Sequence, residues 1–139
     1  MALVVPDTSE ILMLQYLVNM LATDGAAGPA GGHRLLRLYT NNPTIDDSIV
    51  YGGLTEATAP GYVPITLVGS SWTTTQSVGI TTAVYSEQTF TFTTGVTVYG
   101  YYVTNLGTNL LWVEKFSGAP FQLPAGGGEI AITPKVTLD

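Results

Sequence analysis

Ten carboxylates, one histidine and no cysteine are the groups in this 139-residue chain whose types could do chemistry. The carboxylates are Asp7, Glu10, Asp24, Asp46, Asp47, Glu56, Glu87, Glu114, Glu129 and Asp139. A glycosidase needs two of them facing each other across a cleft. A pair such as Glu56 and Glu114 is compatible with that, but nothing around either residue supports it. Asp46-Asp47 could contribute oxygens to a calcium site, yet no EF-hand spacing surrounds them, and a solvated turn is the simpler reading. His33 follows Gly32 and precedes Arg34, with no cysteine or serine context that would make it a base for a nucleophile. Gly69-Ser70-Ser71-Trp72 does not match the G-x-S-x-G elbow. Gly126-Gly127-Gly128 lacks the following Lys and Ser/Thr of a phosphate loop and leads into a strand, not a helix. Without cysteine there is no disulfide framework and no thiolate metal site. The chain is therefore expected to have no catalytic residues, no cofactor and no metal, and not to be an enzyme.

Charge narrows the partners. Only 10% of the residues are charged, against roughly 25% in ordinary soluble domains. Ten acids face four bases for a net charge of −6. The bases Arg34, Arg37, Lys115 and Lys135 are scattered, which argues against nucleic acid, since phosphate binding needs clustered cations. A surface so poor in charge is covered by Thr, Ser, Gly and apolar groups. It suits contact with other copies or other proteins, because interface cores are depleted in charge. A neutral, Thr-rich β-protein surface explains it equally. The apolar run Ile11–Leu21 is interrupted by Gln15 and Asn19 and falls short of the ~20 residues a bilayer requires. The N-terminus shows Asp7 and Glu10 where a signal peptide would carry positive charge, so synthesis in the cytoplasm without an export signal is expected.

These groups must be positioned by a β framework. Residues 1–139 read as a single domain. MALVVP forms an apolar arm over residues 1–6, and Asp7 with Glu10 has capping-box spacing, predicting a helix over about 8–22. Ile11, Leu14, Val18 and Leu21 form one stripe, and Leu12, Met13, Tyr16, Leu17 and Met20 make the rest apolar, so the helix is expected to be covered on more than one side. Asp24–Gly32 is a Gly/Ala/Pro connection. Thereafter strands are predicted at His33–Thr40, Tyr62–Val68, Trp72–Thr75, Val78–Tyr85, Gln88–Thr94, Val96–Thr104, Leu110–Phe116 and Glu129–Leu138, with Asn41–Gly61 rich in turns. In the second half, Val78, Ile80, Thr82 and Val84 share one side of their strand, and Phe90 and Phe92 point inward. Pro134 should put the last strand at an edge or on a bulge. Closely spaced strands without intervening helices predict a mainly β, antiparallel β-sandwich, jelly-roll-like, with the N-terminal α-helix packed on a sheet.

The hairpin Val96–Phe116, turning through Asn105–Asn109, is apolar on both faces, so both faces should be covered. The helix is the expected cover for its outer face, with a subunit interface as the alternative. Tyr99, Tyr101, Tyr102 and Trp112 could form a sugar-stacking platform, although core or interface packing accounts for them as well. The candidate partner and oligomer contacts are Leu3, Val4 and Val5 of the arm, with Tyr99 and Tyr101.

Thr97–Thr104 (TVYGYYVT), Leu110–Phe116 (LLWVEKF), Leu123–Gly128 (LPAGGG) and Ile130–Pro134 (IAITP), preceded by Leu3-Val4-Val5-Pro6, Glu56-Ala57 and Gly61-Tyr62, resemble a group of small structural proteins of tailed-phage virions, similar to capsid decoration (cement) proteins. The Gly25–Gly32 segment is longer and richer in glycine than that pattern. The resemblance implies a structural virion protein made in the host cytoplasm that stabilises the head by binding the major capsid protein and copies of itself, a trimer suiting a site of local three-fold symmetry. It implies no cofactor, no small-molecule substrate, no nucleic acid and no membrane. A tail, neck or fibre component is the first alternative, and a receptor- or glycan-binding β-sandwich the second.

Overall fold

The computed structural model describes residues 7–18 and 33–138. The arm with Leu3, Val4 and Val5, the predicted end of the helix near Ala22, and the Gly-rich connection lie outside those residues. Among the described residues the fold is mainly β, with one α-helix and antiparallel sheets. Helix α1 spans Asp7–Leu17. The strands are β1 (His33–Tyr39), β2 (Ile65–Val68), β3 (Thr73–Ser77), β4 (Ile80–Val84), β5 (Gln88–Phe92), β6 (Val96–Val98), β7 (Gly100–Thr104), β8 (Leu110–Lys115), β9 (Phe121–Leu123), β10 (Gly128–Ile132) and β11 (Lys135–Leu138). They pair as β2-β1-β7-β8, β11-β4-β3, β10-β5 and β6-β9.

The chain folds into two compact units of discontinuous segments. One holds α1, β3, β4 and β11, the other most of β1 and β5 to β10 together with the long 40–64 segment.

In the first unit α1 lies on the β11-β4-β3 sheet. Leu14 and Val18 of the helix and Ala83 of β4 are fully buried, with Trp72 and Tyr85 in edge-to-face contact at 5.2 Å. Three expectations are corrected here. The helix covers this sheet and not the hairpin of residues 96–116. The inward face of β4 carries Thr81 and Ala83, both fully buried, while Ile80 is exposed and Thr82 and Val84 are only half-buried. Small side chains at 81 and 83 let the helix backbone come close. The predicted strand start at Val78 is instead a turn. Val78 (φ 52°) and Gly79 (φ 76°) form the two-residue connection of a β3–β4 hairpin, the twist-matched geometry that needs positive φ at both positions.

In the second unit the register settles which side chains share a face. Arg37 pairs with Tyr102 and Tyr39 with Gly100, while Leu36 pairs with Val103 and Leu38 with Tyr101. Alternation puts Arg37, Tyr39 and Tyr102 on one face and Leu36, Leu38, Tyr101 and Val103 on the other. The first face is covered by the turn-rich segment after β1: Ile45, Ile49, Tyr51 and Leu54 pack around Tyr39 and Tyr102. That segment is the cover the helix was expected to supply for this hairpin. Gly100 is required because a Cβ there would collide with the Glu114 carbonyl and the Tyr39 ring. The break at Tyr99 divides the predicted 96–104 strand, so β6 pairs with β9 while β7 pairs with β8. Phe90 and Phe92 point inward as the alternation predicts, and both stack on Tyr62 at 5.6 and 5.8 Å. Pro134 ends one strand and starts the next: β10 pairs with β5, and β11 forms an edge beside β4.

Candidate interaction surfaces

The polar side chains of the second unit are engaged with one another. Arg37 on β1 donates from Nη1 to Glu56 Oε2 at 2.6 Å. The Tyr62 hydroxyl donates to Glu56 Oε1 (3.0 Å) and accepts from the Leu38 N–H (3.1 Å). This ties β1 to the end of the covering segment, where Tyr39 and Glu56 also form an isolated bridge. Burial pushes the Tyr62 hydroxyl well above its usual range, and neighbouring Glu56 adds to that against the opposing Leu38 N–H. Tyr102 is raised for the same first reason, with Glu56 and Tyr51 adding and Arg37 opposing. Burial raises Tyr39 to about 12, with Glu114 contributing. The Arg37 guanidinium is held above its ordinary value because Glu56 outweighs the cost of its burial. Such shifts mark hydroxyls kept neutral, the opposite of what a nucleophilic or basic tyrosine needs.

The two carboxylates considered as a pair are separated by the sheet. Glu56 is held by Arg37 and Tyr62 on one face. Glu114 accepts from the Tyr101 hydroxyl at 2.6 Å on the other, since Tyr101 and Glu114 are register partners. Asp46 accepts from the backbone N–H and the hydroxyl of Ser48, a local turn that lowers its pKa. Among the described residues no group of three or more His, Asp or Glu side chains is placed to hold a metal ion. No described helix is long and apolar enough to cross a membrane.

Of the candidate contact residues, Leu3, Val4 and Val5 fall outside the described residues. Tyr101 is 3% exposed, with its ring 6.4 Å from that of Phe116. Tyr99 is partly buried against Tyr39, Leu54 and Tyr102. Tyr102 is 1% exposed and Trp112 half-buried, so the hairpin offers no platform of open rings. Burial removes Tyr101 as a contact for a partner in this conformation.

The exposed apolar side chains lie elsewhere. They are Leu12 and Met13 on α1, Val78 and Ile80 at the β3–β4 tip, and Val50, Val63, Leu106 and Phe121 in the second unit. Sequence reasoning had Leu12 and Met13 on an apolar helix surface but missed the others, and one signal was present for Val63, Val78, Ile80 and Leu106. Between Glu56 and Glu114 the sole charged residue is Glu87, so nothing along that stretch forces a solvated charged face.

No family model, no curated protein and no solved structure matches this chain.

Proposed function

We propose that this chain is a non-enzymatic structural protein of a phage particle, a capsid decoration protein that binds capsid protein subunits. The observation that carries the reading is the surface. Large apolar side chains stand in solvent, and four of them, Val63, Val78 at 97% exposure, Ile80 and Leu106, lie along a stretch with a single charge. Charge-poor, apolar surface matches the composition of interface cores. The resemblance of the 97–134 segments to small virion proteins supplies the step from surface-acting to particle. The β framework carries these side chains, and its buried polar groups tie strand to loop in one unit and helix to strand in the other. At roughly 25 cal/mol per Å2 of apolar area, modest contacts repeated over a shell accumulate into resistance to internal pressure. The test is reconstitution. Purified chain is mixed with heads assembled from the phage's major capsid protein alone and sedimented. Saturable co-sedimentation at a fixed ratio to capsid protein is expected. No binding to heads, together with binding to isolated tails or to a glycan array, would replace this reading with the tail or receptor alternative.

A further inference from the structure

The β11-β4-β3 sheet ends on β3, and among the described residues nothing pairs with its outer edge. Unpaired edges invite strand addition unless guarded by charge, proline or a bulge. The other edges of the two larger sheets are guarded. Pro64 immediately precedes β2. β8 carries Glu114 and Lys115 and a register shift opposite Val103/Thr104. β11 begins at Lys135 directly after Pro134. β3, Thr73-Thr74-Thr75-Gln76-Ser77, has no charge and no proline, and it runs in unbroken register with β4. All but Thr74 are exposed.

From this we infer that β3 is a self-association edge, on which β3 of a second copy of this chain adds antiparallel about a two-fold axis at Thr75. The second copy is favoured over an unrelated strand by charge. A two-fold axis at Thr75 sets Thr75 against itself, Thr74 against Gln76 and Thr73 against Ser77, so a charge at position 75 would meet its own sign. The chain carries a net charge of −6, yet this strand and both its flanks from Ala57 to Ser86 carry none. A five-residue strand pair buries too little alone against the roughly 1,000 Å2 of a specific interface. The axis is perpendicular to the sheet, however, so both copies of α1 lie on the same side of the joined sheet. Leu12 and Met13, exposed on α1, add apolar area there.

This deepens the proposed surface-acting role, and it is measured in solution without capsid, so either can fail alone. The full chain is examined by light scattering and by oxidation of Thr75→Cys, the chain having no cysteine of its own. Register partners in an antiparallel pair sit about 4.5–5.5 Å apart at Cα, within disulfide reach. The expected results are a dimer for the natural chain, a rapid disulfide-linked dimer for Thr75→Cys but not for Thr108→Cys, and loss of the dimer in Thr75→Lys with an unchanged melting temperature. A monomer at every concentration, or equal cross-linking of Thr108→Cys, would overturn the inference. So would an undiminished dimer in Thr75→Lys. If Thr75→Lys fails to fold, the cysteine comparison decides.

Discussion

At the scale of single residues, the molecule uses its few polar groups as ties between layers. Glu10 is 9% exposed and accepts from the Thr81 hydroxyl at 3.1 Å, joining α1 to β4. The sequence suggested a capping-box role for Glu10, closing on its own helix; the carboxylate reaches across to the sheet because a strand with a small hydroxyl lies within range. Thr81→Val keeps the shape and leaves the carboxylate without that donor. It is expected to cost about 1–3 kcal/mol, read as a lowered midpoint in urea denaturation. Tyr62→Phe strands the Leu38 N–H and the Glu56 oxygen, with a similar expected loss. The tyrosines also set the alkaline limit. Tyr39, Tyr62 and Tyr102 have folded pKa values raised above the unfolded value near 10. An acid raised on folding contributes stability that is whole below its unfolded pKa and is lost as pH climbs towards the folded one. Thermal melts should therefore hold steady up to about pH 9 and fall steeply between about pH 10 and 12. Tyr62→Phe should flatten that fall, and an unchanged slope would contradict the assignment.

At the scale of elements, alternation was the most legible signal. Phe90 and Phe92, and Ile130 and Ile132, are buried as their period predicts, because a strand with one apolar face can only turn that face inward. Patterns failed where two segments compete for one face. The hairpin's two apolar faces announced that both were covered, but no local rule names the cover. The 40–64 segment supplies it through Ile45, Ile49 and Leu54, whose spacing matches neither helix nor strand. The β3–β4 turn was hidden for a different reason. Valine is among the best strand formers, so Val78 read as strand although the following glycine marked a turn. A β-branched residue at positive φ is costly. Val78→Asn, which restores the Asn-Gly turn, is expected to stabilise the fold by about 1 kcal/mol and to raise the melting temperature. A lowered melting temperature would show that Val78 makes contacts that offset its backbone strain.

At the scale of the whole molecule, composition was legible first and remains the strongest guide to function. A chain with 10% charged residues and a net charge of −6 has little with which to grip phosphate. Of its described carboxylates, Glu10, Glu56 and Glu114 are placed in ties and Asp46 in a turn. What it offers is area: Val50, Val63, Leu106 and Phe121 in one unit, and Leu12, Met13, Val78 and Ile80 in the other. A role played through area depends on copy number, since each contact is modest and the effect grows with repetition. On the proposed decoration role, quantitative mass spectrometry of purified phage particles measures that copy number directly. A decoration protein is expected at a fixed stoichiometry of the same order as the major capsid protein. Absence from the particles, or only a few copies in each, would contradict it.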